Sequence, residues 1–219
     1  MAEGANAVTG GSQDRGPIVG NVYDKYGTRN PLSRALMRGF LGAVTQLYQR
    51  IAPASVLEVG CGEGRLAHHL VTSAARPERF VASDIDLGAA AAGLDRLIEL
   101  QRASIYDLPF EDASFDMVVC CEVLEHLGDP HRGVAEIARV SRRAVLLSTP
   151  REPLWRLLNV ARARYLRDLG NTPGHVQHFS SGSLERLARR RLVILDRRTP
   201  PPWTVLLGEP IGRRGDSVG

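Results

Sequence analysis

The chain of 219 residues and 23.9 kDa has the length of one large domain, with 43% hydrophobic and 24% charged residues, as in ordinary globular proteins. No apolar stretch approaches the roughly 20 residues of a membrane-spanning helix, so we expect no membrane span. The net charge of +4 and the pI of about 9.3 would suit an acidic partner. However, 27 of the 28 basic residues are arginine, a bias typical of GC-rich genomes, and we do not expect nucleic acid as a partner.

The first 16 residues have neither the basic start nor the apolar core of a signal peptide, which predicts a disordered tail and a cytoplasmic protein. Cys61, Cys120 and Cys121 are odd in number, and two are adjacent in an apolar run, which favours reduced, packed thiols. We therefore predict a tail over 1–16, a lid and helix over 17–52, the main domain over 53–210 and a disordered tail over 211–219.

Aliphatic, β-branched runs alternate with helical patterns along the chain, which is typical of a parallel sheet wrapped by helices. Strands are predicted at 55–59, 80–83, 103–105, 117–121, 145–148, 192–195 and 204–207. Helices are predicted at 33–50, 64–75, 88–100, 130–141, 152–167 and 181–190. Because only TPPPW separates the last two strands, they should pair antiparallel. The predicted fold class is one doubly wound, Rossmann-like α/β domain: a seven-stranded, mostly parallel sheet, its last strand antiparallel, with helices on both faces.

The segment VLEVGCGEGRLAHHL runs from the first strand through a glycine-rich turn into a helix. Gly60, Gly62 and Gly64 let the backbone turn tightly and approach a ligand, and the helix offers unpaired N–H groups to a polar or anionic group. The dinucleotide fingerprint G-x-G-x-x-G has another spacing, and Glu58 lies inside the strand end. The turn therefore predicts a nucleotide-type site that departs from the NAD pattern.

With this turn the sequence resembles the class I S-adenosylmethionine-dependent methyltransferases, whose first motif looks like VLEVGCGEG. The resemblance implies that the turn, with Glu58 and Cys61, holds the methionine half of the cofactor S-adenosylmethionine. It also implies that Asp84, in FVASDID, binds both ribose hydroxyls, since two carboxylate oxygens can accept from two vicinal hydroxyls. Asp86 is the alternative acid. The resemblance is strong over about residues 55–150 and elsewhere extends only to the order of elements.

The family motif that brackets adenine corresponds to ASIYDLPFEDASFDMVVCCEVLEHL. Many relatives carry an aspartate where Ser104 stands, so the chain departs from the pattern there, although the Ser104 oxygen and the Ile105 N–H remain candidate adenine contacts. Further cofactor contacts are predicted at strand ends and in an N-terminal lid: Ile85, Cys121 and Tyr23. Tyr23 could equally belong to a surface segment packed on the first helix.

The stretch EVLEHL follows the fourth predicted strand, at the sheet edge where α/β proteins bind ligands. If a helical turn begins at Glu122, then Glu125 and His126 lie on the same face at i+3 and i+4. Two carboxylates and an imidazole suit a divalent metal such as Mg, Mn, Fe or Zn. In NTPGHVQHF, His175 and His178 are the candidates for a fourth ligand.

ExxEH followed by HxxHF resembles the ubiquinone-biosynthesis O-methyltransferases, and ExxEH with a later histidine also resembles small-RNA 2'-O-methyltransferases. In both groups the resemblance implies a divalent metal that binds the acceptor hydroxyls. Its ligands would be Glu122, Glu125, His126 and His178, with His175 an alternate ligand or a base. The same stretch also occurs in metal-free methyltransferases. There Glu122 borders the cofactor, His126 packs or caps, and His175 or His178 would be the general base.

The predicted function is transfer of a methyl group from S-adenosylmethionine to a small-molecule acceptor, at a phenol, catechol or other hydroxyl oxygen, with or without an assisting metal. Glu122, His175 and His178 are the predicted catalytic residues. Three alternatives stay open: metal-free methylation of nitrogen or carbon, RNA 2'-O-methylation, and a non-catalytic cofactor-binding scaffold. The sequence makes no prediction of the oligomeric state.

Overall fold

The computed structural model describes residues 30–90, 94–155 and 176–212. Tyr23, His175, the tail predicted over 1–16 and most of the helix predicted over 152–167 lie outside these ranges. Within them, no helix combines the length and the apolar character that crossing a bilayer requires.

The bounds of the described helices and strands follow in chain order. They are α1 (Pro31–Ile51), β1 (Ser55–Val59), α2 (Arg65–Ser73), β2 (Arg79–Asp84), β3 (Ile98–Arg102), β4 (Phe115–Cys121), α3 (Pro130–Val140), β5 (Ser141–Pro150), α4 (Ser181–Ala188), β6 (Leu192–Arg198) and β7 (Trp203–Pro210). Two short 3-10 turns, Leu87–Ala89 and Leu124–His126, follow the carboxyl ends of β2 and β4.

The strands form one sheet in the order β3-β2-β1-β4-β5-β7-β6. The pairs among β1 to β5 are all parallel, whereas β7 pairs antiparallel with both β5 and β6. The predicted doubly wound fold is therefore confirmed, and so is the antiparallel pairing of the last two strands. Because β7 runs against the others, its first residue, Trp203, lies opposite Pro150 at the edge where the parallel strands end.

The central strands are buried on both faces, which explains why they read as continuous apolar runs. One face packs against α1 and α2, with Phe40, Val44 and Leu70 in its core. The other face packs against α3 and α4, with Ile137 and Leu184 in its core. The sheet therefore sits between two helical layers, and its carboxyl edge is left for a site.

The strand predicted over 103–105 is wrong, because the third strand is Ile98–Arg102 and residues 103–107 form a turn. The helix predicted over 88–100 is also wrong, because residues 98–100 belong to β3. Near the predicted start of that helix, the described residues form only the 3-10 turn Leu87–Ala89. β3 lies at the edge of the sheet, and its side chains after Ile98 are exposed. Because most residues of β3 are exposed and several are polar, this segment lacks the apolar pattern from which the strands were predicted.

Candidate active site at the carboxyl edge of the sheet

The glycine turn lies directly beyond β1, as the sequence predicts. Gly60 and Gly62 have φ angles of 77° and 52°, in the left-handed region that residues with a Cβ rarely adopt. The backbone N–H groups of Gly60 and Cys61 donate to the Ser83 carbonyl at 2.7 and 2.9 Å, which fastens the turn to the end of β2. A Cβ on Gly60 would overlap the Val123 side chain, whereas one on Gly62 would meet no atom within 4 Å among the described residues beyond its two chain neighbours. The turn therefore has one packed side and one open side.

Asp84, at the end of β2, faces this turn. Its Oδ2 accepts from the Gly62 N–H at 2.8 Å, and its Oδ1 accepts from the Asp86 N–H at 3.1 Å. Each carboxylate oxygen has a second lone pair, so the carboxylate can still accept from two hydroxyls. Asp86 has a different role, since its Oδ1 accepts from the Gly88 N–H at 2.9 Å and caps the 3-10 turn. Of the two candidate acids, Asp84 is the one that contacts the glycine turn.

Glu58 is buried within β1, with 3% of its surface exposed. Its Oε2 has no hydrogen-bond partner among the described residues. The pKa of its carboxyl is raised to about 8, chiefly by burial; a hydrogen bond from the Ala67 backbone opposes the rise, and the nearby Asp84 carboxylate adds to it. Glu58 and Asp84 therefore place two carboxyl groups near the glycine turn, and a bound cation would stabilise their ionised forms.

The predicted adenine contacts lie in the turn that follows β3. The Ser104 hydroxyl oxygen accepts from the Tyr106 N–H at 3.3 Å, and the Ser104 carbonyl accepts from the Asp107 N–H at 3.0 Å. Ile105 is buried in the core beside α3, so its side chain faces inward. The side chain of Ile85, directly after Asp84, is 57% exposed. An exposed aliphatic side chain beside the acid suits a wall for a flat ring.

The fourth strand ends in an unusual backbone conformation. Cys121, the last residue of β4, is half-buried, and Glu122 follows with a left-handed φ of 62°. The Glu122 N–H donates to the Ser148 carbonyl at 3.1 Å. Its carboxylate accepts from the Ser148 hydroxyl at 3.3 Å and from the Trp203 indole N–H at 2.8 Å. Glu122 therefore lies at the sheet edge as predicted, but it does not begin a helix.

The predicted shared face of Glu122, Glu125 and His126 is wrong for this reason. The 3-10 turn begins only at Leu124, so the i+3 and i+4 spacing of an α-helix does not apply from Glu122. The Glu125 side chain is 2% exposed and belongs to the interior. In the ranges 30–90, 94–155 and 176–212, no three His, Cys, Asp or Glu side chains are placed to hold a metal ion. The described residues thus do not fit the predicted metal site.

The second histidine segment does come to this edge. The N–H groups of Val176 and Gln177 both donate to the Glu125 carbonyl at 2.9 Å, so the segment lies along the 3-10 turn. His178 is exposed there. His175 precedes the described part of this segment. The structure therefore brings His178 and the EVLEHL stretch together through the backbone, without forming the ligand set.

Trp203 is the site residue that sequence reasoning missed. It is the first residue of β7, and its ring lies 4.9 Å from the Phe40 ring and 5.9 Å from the Trp155 ring, measured between centroids. The predicted antiparallel pairing of the last two strands could have identified Trp203 as a site residue. It placed the start of β7 at the carboxyl edge, and an indole N–H near that edge needs an acceptor.

The comparisons with known proteins agree with this geometry. Residues 57–148 match the family model described as "Methyltransferase domain". A probable S-adenosylmethionine-dependent methyltransferase of Mycobacterium tuberculosis is 45% identical over 112 residues, which cover 48% of this chain and 40% of the relative. A ubiquinone biosynthesis O-methyltransferase of Nitrosospira multiformis is 30% identical over 156 residues, which cover 65% of this chain and 63% of the relative. The chain thus spans about two fifths to two thirds of the length of these relatives.

Solved structures show the same fold. Magnesium protoporphyrin IX methyltransferase from Synechocystis, determined with bound S-adenosylhomocysteine, superposes with a TM-score of 0.60 over 84% of this chain and 89% of that chain, at 17% identity. At that identity the likeness concerns the fold alone. Together, the sheet order, the glycine turn facing Asp84 and the family match identify residues 57–148 as a methyltransferase domain of the S-adenosylmethionine-dependent class.

Proposed function

We propose that this chain transfers a methyl group from S-adenosylmethionine to a hydroxyl oxygen of a small molecule, such as a phenol or catechol. The observation that carries the cofactor half is the 2.8 Å hydrogen bond from the Gly62 N–H to Asp84, which joins the two parts of a nucleoside site. The ubiquinone biosynthesis O-methyltransferase, similar over 65% of the chain, supports a hydroxyl acceptor.

The residues present fit the cofactor on two counts. The buried Oε2 of Glu58, without a hydrogen-bond partner in the described chain, can accept from the cofactor's ammonium group. The open side of Gly62 leaves room for a ligand against the backbone. When bound, the cofactor supplies a methyl group on a positively charged sulfur.

In the proposed reaction the acceptor oxygen attacks that methyl carbon, a C–O bond forms, the C–S bond breaks, and S-adenosylhomocysteine leaves. The acceptor's proton must pass to a base. Glu122 and His178 are our candidates among the described residues, with His175 in the preceding segment. Otherwise the protein contributes alignment, which alone lowers the barrier of a two-substrate reaction substantially.

We assign no step to a metal. The Glu122 carboxylate accepts from Trp203 and Ser148, and Glu125 is buried, so the two predicted carboxylate ligands are not presented to a metal ion. A base in place of a metal has one consequence: methylation of a phenol should increase with pH as the base and the acceptor lose their protons.

The test is transfer of labelled methyl groups to a panel containing catechol, a hydroquinone, a primary amine and a short RNA. We expect a methyl ether of a phenolic acceptor as the product, identified by mass spectrometry. Methylation confined to nitrogen, carbon or RNA would overturn the hydroxyl assignment. Binding of S-adenosylhomocysteine with no product from any member would favour the scaffold.

Asp84→Asn and Asp86→Asn form a matched pair for this assay. Asp84→Asn replaces a carboxylate oxygen with an N–H donor facing a backbone N–H, so transfer should be lost. Asp86→Asn keeps a residue that caps a helical turn well, so transfer should persist.

A further inference from the structure

Trp203 is held rigidly at the edge of the proposed site. It is 3% exposed, and its ring packs near the Phe40 and Trp155 rings, with centroids 4.9 and 5.9 Å away. Its strand, β7, is fixed on both sides by pairing with β5 and β6. The indole N–H therefore has a defined direction, and it points at the Oε2 of Glu122, 2.8 Å away. A hydrogen bond to a carboxylate is among the stronger ones in proteins.

Glu122 needs such an anchor because its backbone is left-handed, with φ of 62°. Residues with a Cβ avoid this region, and glutamate has no short side chain to compensate locally. Contacts from neighbouring strands hold it: its N–H donates to the Ser148 carbonyl, and its carboxylate accepts from the Ser148 hydroxyl and the Trp203 indole. Of the two carboxylate contacts, the one from Trp203 is shorter, 2.8 against 3.3 Å.

The next residue connects this anchor to the glycine turn. Val123 packs so closely on Gly60 that a Cβ on Gly60 would overlap its side chain. Gly60 in turn donates to the Ser83 carbonyl at 2.7 Å, one residue before Asp84. Any relaxation of the Glu122 backbone therefore moves Val123 against the turn that we assign to the cofactor.

We propose that Trp203 is a positioning residue for the cofactor site: its indole N–H keeps Glu122 left-handed, so that Val123 packs on Gly60 and the glycine turn keeps its binding shape. The inference rests on the proposed function only in assigning that turn to S-adenosylmethionine. It makes the β6–β7 hairpin, distant in sequence from the cofactor motifs, a determinant of cofactor affinity.

Calorimetric titration with S-adenosylhomocysteine tests this without any acceptor. Trp203→Phe keeps a ring between Phe40 and Trp155 but loses the N–H, and we expect the Kd to rise about tenfold, the usual scale for a hydrogen bond to a charged group. Phe40→Leu is the matched control. It loosens the same aromatic cluster and should lower Tm at least as much, yet leave the Kd within about twofold of wild type.

The Glu122→Gly background distinguishes a positioning role of Trp203 from a contribution to general stability. Glycine adopts the left-handed conformation freely, so in Glu122→Gly the backbone no longer depends on Trp203. We expect Trp203→Phe to weaken binding in the wild-type background and to have no further effect in Glu122→Gly. A purely structural tryptophan would weaken binding equally in both backgrounds, which would overturn the inference.

The inference also fails if Trp203→Phe binds within twofold of wild type, or if Phe40→Leu weakens binding as much. If Trp203→Phe does not fold, Ser148→Ala takes its place, and we expect about a threefold rise in Kd that Glu122→Gly removes. No rise would refute the link. Wild-type protein that does not bind S-adenosylhomocysteine would overturn the proposed function together with the inference, an outcome distinct from a failure of Trp203 alone.

Discussion

Ionising Glu58 in the cofactor-free protein should lower its stability, and Glu58→Gln should remove the effect. Burial raises the pKa of Glu58 from 4.5 to about 8. A carboxyl that holds its proton more tightly when folded gives full stability below about pH 4.5, which is lost as the pH rises to about 8. The gap of roughly 3.5 units, at about 1.4 kcal/mol per unit, corresponds to about 5 kcal/mol of unfolding free energy.

Urea unfolding between pH 5 and 8.5, with wild type beside Glu58→Gln, measures this. Over that window the unfolding free energy of wild type should fall relative to the variant by up to about 1.4 kcal/mol per pH unit. Burial raises the pKa of Asp116, but hydrogen bonds from Arg142 and the backbone outweigh it, and the hydrogen bond from Arg139 lowers the pKa of Glu136. Both groups therefore lose their contributions only at more acidic pH and in both proteins alike. Parallel pH profiles for the two proteins would refute the reasoning.

The cofactor should reverse the effect, because its ammonium group favours the ionised carboxylate. Binding of S-adenosylhomocysteine near pH 7 should therefore release a proton from Glu58. Calorimetry in two buffers with different ionisation enthalpies detects that proton, and Glu58→Gln should release none. Equal proton release from both proteins would assign the proton to another group.

Three further outcomes follow from the same contacts. Asp84→Asn should raise the Kd for S-adenosylhomocysteine at least tenfold, and Asp86→Asn should leave it within about twofold, by calorimetry. Gly62→Ala should cost only about 1–2 kcal/mol of stability for its left-handed φ while abolishing cofactor binding, whereas Gly60→Ala should lose folded protein by circular dichroism because its Cβ overlaps Val123. Tyr48→Phe should raise the unfolding free energy in urea by about 1 kcal/mol, because the buried hydroxyl has no hydrogen-bond partner in the described chain; an unchanged or lower value would contradict this.

The sequence predicted where the glycine turn and Asp84 lie, because their positions depend on local backbone chemistry and on strand order. Left-handed turns favour glycine, so the closely spaced Gly60 and Gly62 indicate this backbone conformation directly. An acid at the end of the second strand must lie beside the first βα turn in a parallel sheet, and Asp84 does. The identity of these residues nearly determines where they lie.

The part of the site around Glu122 could not be predicted in this way, because its backbone conformation depends on residues that are distant in sequence. Nothing in EVLEHL shows that Glu122 is left-handed, since its conformation depends on Ser148 and Trp203, 26 and 81 residues away in sequence. A helical spacing was therefore the natural and wrong expectation. The prediction of β3 was wrong for a related reason: an edge strand that pairs on one side only needs few apolar side chains.

The reversed direction of β7 has a consequence for how such a domain can change over evolution. The loop at 199–202 lies at the carboxyl edge, and it is tied to the end of β5 by the Arg151 N–H donating to the Pro202 carbonyl at 2.8 Å. Insertions or substitutions there would alter the surroundings of Glu122 and, through Val123, the packing on Gly60, whereas the contacts that Asp84 makes with Gly62 and Asp86 lie elsewhere. By the proposed coupling, a change in this hairpin that favours a new acceptor would also change the affinity for the methyl donor, so the two properties would evolve together.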